Sequence, residues 1–147
     1  MRQTMRDILE AKGSEVVSVT LDASVLDAVR IMNEHRIGAV AVLVGEHLVG
    51  IFSERDVLQR VVAAGLEPRD TPVTSVMTDL VITVPATVSV EEALTIVSEK
   101  RVRHLPVMDG ETLLGMVSAG DLTRSMTQGH EFEIRQLINY VTRKYPA

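Results

Sequence analysis

Apolar residues recur along this chain in two registers, and those registers predict its elements. Val25, Ala28, Val29, Ile31 and Met32 repeat at helical spacing, the period of a helix that buries one stripe. Ser24, three positions before Asp27, opens that helix as a capping box, in which each side chain satisfies an amide left free by the first turn. Ala39 to Val44 is then a nearly continuous apolar run, Gly45 and Glu46 make a turn, and Leu48 to Phe52 is a second short apolar run. Two paired strands therefore follow the helix. Ser53 with Asp56 forms another capping box and leads into Val57, Leu58, Val61 and Val62 at helical spacing. With a short strand near Val17 to Val19, the unit reads strand, helix, strand, strand, helix.

The same order returns 65 positions later. Val19 to Asp56 aligns with Val84 to Asp121 without a gap, and 14 of the 38 pairs are identical. The identities include turn and polar residues as well as apolar ones: Ser24 with Ser89, Arg36 with Arg101, Gly45 with Gly110, Gly50 with Gly115, Ser53 with Ser118 and Asp56 with Asp121. In the second copy a short strand near Val81 to Val84 precedes a helix that starts at Ser89 and Glu92 and runs toward Arg101. Strands at Leu105 to Met108 and Leu113 to Val117 flank Asp109-Gly110, a dipeptide that readily supplies the positive φ of a tight hairpin. Ser118 and Asp121 then lead to Leu122 and Met126.

Gly65 to Pro72, with its Gly, two Pro and three charges, reads as the connection between copies. The division expected is a first repeat over 1–65 with an N-terminal helix at Thr4 to Ala11, a second repeat over 73–128, and a C-terminal helix within 129–147. Phe132, Ile134, Leu137, Ile138 and Val141 give Glu131 to Lys144 one apolar face, so that helix has something to cover. A unit of about fifty residues hardly buries both faces of a three-stranded sheet alone. The fold class expected is therefore mixed α/β (α+β): two βαββα repeats packed about a pseudo-twofold axis.

Composition narrows the function classes. The chain has 147 residues, 46% hydrophobic and 24% charged, and lacks the run of about eighteen apolar residues that a membrane span needs. It has no cysteine, which excludes disulfides and thiolate metal sites. Met1 to Glu10 carries charges where a secretory signal is apolar, so a cytoplasmic location is expected. Fifteen Lys and Arg against twenty Asp and Glu leave a net charge of −5, with no Trp and four other aromatics; nucleic acid is not an expected partner. His35, His47, His104 and His130 show no i, i+4 pair, so no metal site is expected. Neither a nucleophile with its base nor a paired-acid motif stands out, and no enzyme activity is expected.

Two segments carry a more specific signal. Gly50-Ile51-Phe52-Ser53-Glu54-Arg55-Asp56 and Gly115-Met116-Val117-Ser118-Ala119-Gly120-Asp121 share one pattern: glycine, hydrophobic, any residue, Ser, any two residues, Asp. With Val76-Met77-Thr78 at the entry to a unit and Arg103-His104-Leu105-Pro106-Val107, they resemble the tandem CBS domain pair, or Bateman module. The resemblance covers nearly the whole chain, and Lys12-Gly13 with the C-terminal helix is most similar to stand-alone bacterial members. It implies a regulatory, ligand-sensing module without catalytic activity. Such a module binds an adenosyl compound such as AMP, ADP, ATP, NAD or S-adenosylmethionine between its repeats, signals to another protein, and often pairs as a homodimer. Carried over by position, Asp121 and Ser118 would hold ribose and phosphate in one cleft, and Asp56 and Ser53 would do so in the other. Pro106 and Thr83 complete the set of ligand-binding candidates.

Elementary chemistry fits these roles. A carboxylate only accepts hydrogen bonds and can take both hydroxyls of a cis-diol, each such bond to a charged group contributing roughly 1.5–3 kcal/mol. Ser53 and Ser118 open predicted helices, where free amides and the helix dipole favour an anionic phosphate. Arg103 and His104 are the candidate phosphate contacts, joined by Arg55 and Lys12 from neighbouring elements. Gly120 opens room before Asp121 where Arg55 fills the matching position, so the Asp121 cleft ranks first. The plainer alternative is that both Ser–Asp pairs only cap helices, at about 1 kcal/mol each, in a ligand-free structural or dimerisation module. Arg36 and Arg101 read as partners of helix dipoles.

Overall fold

Ser24 starts its helix by the capping box its spacing predicts, and Thr4 starts the N-terminal helix in the same way. In the computed structural model, which describes residues 2–127, 135–139 and 141, helix α1 (Met5–Lys12) begins where the Thr4 hydroxyl accepts from the Asp7 amide and the Asp7 carboxylate accepts from the Thr4 amide. Helix α2 (Val25–His35) opens on the same reciprocal pair, Ser24 and Asp27. Strand β1 (Ser18–Val19) runs parallel to β2 (Ala39–Val44), which runs antiparallel to β3 (His47–Ser53). A helical turn, α3 (Glu54–Asp56), continues from β3 into π-helical Val57–Val62. The second unit repeats the order with β4 (Val84–Pro85), α4 (Val90–Lys100), β5 (His104–Asp109), β6 (Thr112–Ser118) and α5 (Ala119–Thr127). The two three-stranded sheets, β1-β2-β3 and β4-β5-β6, meet through β3 and β6.

The duplication reaches fine detail. The pairing irregularity between Val42 and Leu43 recurs between Val107 and Met108. Gly45 and Gly110 turn their hairpins at φ 60° and 61°, a region open to glycine at little cost. Arg36 and Arg101 end α2 and α4, each at φ 55°, where a side chain costs roughly 1–2 kcal/mol. One segment departs from its predicted form. The period grouped Val57, Leu58, Val61 and Val62 on one helical face, but the wider i→i+5 turn, closed by the Ala63 amide on the Leu58 carbonyl, separates them. Val61 is fully buried, whereas Leu58 and Val62 are 64% and 63% exposed.

The segments that lead into the two repeats are exchanged. Met5, Ile8 and Leu9 of α1 belong to the core of the second repeat, with Val90, Leu105, Val107, Val117 and Leu122. Val73, Val76 and Met77 belong to that of the first, with Val25, Val40, Val42 and Phe52. Backbone hydrogen bonds follow the same crossing: the Val90 amide donates to the Gln3 carbonyl, and the Val25 amide to that of Thr71. The motif glycines permit both dockings. A Cβ on Gly115 would stand 2.6 Å from the Leu9 side chain, and one on Gly50 would stand 2.5 Å from Met77 Sδ and 3.0 Å from the Thr78 carbonyl oxygen. Continuity along the chain assigned the N-terminal helix to the first repeat; its contacts lie with the second.

At the other end, residues 135–139 and 141 are helical, and Leu137, Ile138 and Val141 are each more than half exposed. The remainder of the helix expected over Glu131 to Lys144 lies outside the described residues. Among the described residues no helix is long and apolar enough to cross a membrane.

Candidate functional site

β3 and β6 each run into a capping box, so the pseudo-twofold arrangement brings two buried carboxylates, Asp56 and Asp121, to one cleft. The cleft has a volume of about 1340 Å³, above the usual range for one small-molecule pocket. Its lining holds eight of the chain's fifteen Lys and Arg but only four of its twenty Asp and Glu. A protein that is acidic as a whole therefore gathers its positive charge in a single concavity, which attracts anions.

Asp121 is held from several sides. Its Oδ2 accepts from the Ser118 amide at 2.8 Å and from Lys12 Nζ at 2.7 Å, while Arg124 Nη2 stands 2.5 Å from Oδ1. Lys12 also donates to the Met116 carbonyl at 2.9 Å. Burial disfavours the charged form of Asp121, but the Lys12 and Ser118 hydrogen bonds outweigh it and hold the carboxyl below its ordinary pKa. Asp56 has a different shell. Its Oδ2 accepts from the Ser53 amide at 2.9 Å, its Oδ1 accepts from the Thr78 hydroxyl at 3.1 Å, and Arg60 Nε lies 3.6 Å away.

His104 lies between the two halves. A Cβ built on Gly38 would stand 3.5 Å from its imidazole and 2.5 Å from a Glu54 carboxylate oxygen, so the absence of a side chain at Gly38 lets these groups approach. Burial lowers the His104 pKa and outweighs the opposing pull of Glu54 and Asp121, with Arg103 and Lys12 adding to the decrease. The imidazole is therefore neutral near pH 7 and offers one N–H donor rather than a positive charge. Arg55 crosses between repeats, donating from Nη1 to the Arg101 carbonyl at 2.8 Å. Its counterpart in the second motif, Gly120, has no side chain to fill the matching space, and the nearest groups to a Cβ there, Arg124 and Ser118, are 3.6 Å away.

Eight of the ten residues selected from sequence line this cleft: Lys12, Ser53, Arg55, Asp56, Arg103, His104, Ser118 and Asp121. Two do not. Pro106 is buried in β5, paired with Met116, and Thr83 is exposed next to Ile82, the residue that does face the cleft. Arg36 and Arg101, read from sequence as dipole partners, both line the cleft. Three contacts were absent from the sequence reading. Arg60 and Arg124 follow their aspartates at i+4 and i+3, a spacing legible on a helix. Thr78 reaches Asp56 across 22 positions with no local signal. Among the described residues no three His, Asp or Glu side chains converge as a metal site.

Two sheets related by a pseudo-twofold, with a Ser–Asp pair from each facing one cleft, define a tandem-repeat module. The CBS domain family matches residues 5–63 and 73–127, and the chain belongs to it. CBS domain-containing protein CBSX3, mitochondrial, from Arabidopsis thaliana is 34% identical over 151 residues, spanning 97% of this chain and 73% of that protein. The solved structure of a protein with CBS domains from Burkholderia ambifaria MC40-6 superposes with a TM-score of 0.84 at 37% identity, covering 87% of this chain and 96% of that one. The CBS domain pair of protein MJ0100, solved in complex with 5′-methylthioadenosine and S-adenosyl-L-methionine, has a TM-score of 0.78 at 21% identity, over 88% of this chain and 99% of that one. At that identity the likeness is one of fold.

Proposed function

We propose that this protein is a cytoplasmic regulatory module that binds an adenosyl ligand of the AMP, ATP or NAD type in the cleft between its repeats and changes its affinity for another protein in response. The observation that carries this reading is the convergence of Asp56 and Asp121 on a cleft that concentrates the chain's basic residues. In this reading Asp121 accepts the ribose hydroxyls, the positive end of the α5 dipole favours the phosphate, and Arg103 with His104 lies alongside it. The adenosyl ligands of MJ0100 support the ligand class. Signalling requires that the ligand prefer one arrangement of the repeats, with coupling typically of about 1–3 kcal/mol. Exposed Leu58, which lines a recess of about 300 Å³ with Val29, Met32, Ile37, Val57, Asn33 and Glu54, and exposed Val62 support a homodimer.

Thermal melts with AMP, ATP, NADH and S-adenosylmethionine test the proposal. A true ligand at a hundredfold excess over its Kd adds about 2.7 kcal/mol and raises the midpoint by several degrees. One observation favours a second reading: both aspartates are satisfied internally by the protein's own donors, as a ligand-free interaction module requires. No shift with any of the four compounds would select that alternative.

A further inference from the structure

Resting on the adenosyl-ligand reading, we infer that Lys12 makes the Asp121 half of the cleft selective for phosphorylated over uncharged adenosyl compounds. The diol-accepting carboxylate is not free: Lys12 Nζ is 2.7 Å from one oxygen and Arg124 is 2.5 Å from the other. A ribose that reaches Asp121 must draw it away from at least one of these cations. Lys12 is 39% exposed and has one other acceptor, the Met116 carbonyl. A neutral nucleoside that displaces Lys12 leaves its ammonium without an anion in a cleft already rich in positive charge. A nucleotide brings its own anion. Its phosphate replaces the carboxylate as the partner of Lys12, so Asp121 turns to the diol while no charge is left unpaired.

The internal duplicate supplies a comparison. In the register of the repeat, Lys12 matches Met77, and Asp56 is met by the Thr78 hydroxyl and, at 3.6 Å, by Arg60. Among the described residues a close ammonium–carboxylate contact thus belongs to the second motif alone, and it comes from α1, whose core contacts lie with that repeat.

Calorimetric titration of the full-length protein with AMP and with adenosine tests the inference. Wild type is expected to bind AMP at least about tenfold more tightly than adenosine, the difference that one charge-assisted hydrogen bond supplies. Lys12→Met is expected to weaken AMP and to spare or improve adenosine, bringing the two within about threefold. Lys12→Arg, which keeps the charge, is expected to retain most of the preference. Equal affinity of wild type for both compounds overturns the selectivity and leaves the adenosyl reading standing. Equal weakening of both by Lys12→Met shows a structural role only and also overturns it. If wild type binds neither compound, nor ATP, NADH or S-adenosylmethionine, the adenosyl reading itself fails and the inference falls with it. If Lys12→Met folds poorly, Lys12→Gln carries the same test: a preference that falls to within about threefold supports the inference, and one that stays at about tenfold overturns it.

Discussion

Lys12 and Asp121 stand 109 positions apart in the chain and 2.7 Å apart in space, joining the end of the first helix to the start of the last helix of the second repeat. The contact exists because α1 docks on that repeat rather than on the one it precedes. It ties a cleft carboxylate to the N-terminal helix, and the first prediction concerns that carboxylate.

Asp121→Ala removes the carboxylate that caps α5 and pairs with Lys12 and Arg124. The variant is expected to stay folded at a cost of about 1–3 kcal/mol, measured by urea unfolding, and to lose the ligand-induced rise in melting temperature. A full rise in the folded variant would place the ligand elsewhere.

Acid should destabilise the protein through the same residue. Because the folded-state pKa of Asp121 lies below the ordinary 3.8, the unfolded chain binds the proton first. The stabilisation is present above that ordinary value and is lost as the pH falls through the depressed one. Melts of wild type between pH 5 and 3, at about half-unit steps, should show a steeper decline than melts of Asp121→Asn. Parallel curves contradict the assignment.

His104 acts with the same sign at higher pH. Burial lowers its folded-state pKa from the ordinary 6.5, so protonation favours the unfolded chain and stability declines as the pH drops below about 6.5. His104→Gln is expected to flatten this limb of the stability profile between about pH 7 and 5. NMR titration of the imidazole provides a direct check, and a midpoint at or above the ordinary value rules the prediction out.

The exchange of leading segments predicts where damage spreads. Met5 is fully buried in the second repeat's core, so Met5→Ala should cost about 2–5 kcal/mol. Hydrogen exchange should accelerate in α4, β5 and β6 before β2 and β3. Faster exchange confined to β2 and β3 would contradict the docking described.

The motif glycines should not be equivalent. At Gly50 an added methyl meets the Thr78 backbone as well as Met77, whereas at Gly115 its three nearest neighbours are all atoms of the Leu9 side chain. Side chains shift more readily than a backbone tied by the reciprocal Ile51–Thr78 hydrogen bonds. Gly50→Ala is expected to be the more destabilising, within the 1–3 kcal/mol typical of overpacking, by comparison of denaturation midpoints.

Local chemistry made much of this protein legible from its sequence. The capping boxes at Ser24, Ser53 and Ser118, the hairpin glycines Gly45 and Gly110, and the period of α2 are set by neighbours within a few positions, so the repeat and the strand–helix order could be read directly. The motif also led to the carboxylates of Asp56 and Asp121, and eight of the ten residues selected with it line the cleft. Tertiary structure decided what no short window contains. Thr78 meets Asp56, and Lys12 meets Asp121, only because each leading segment packs on the other repeat. The gathering of basic residues in one cleft likewise depends on how the two sheets meet. Pro106 and Thr83 sit beside lining residues in sequence but not on the cleft, because which side of an extended chain faces a cavity depends on packing against the rest of the fold. Caps and turns gain their energy locally, whereas burial and ion pairing between distant segments exist only once the chain has closed.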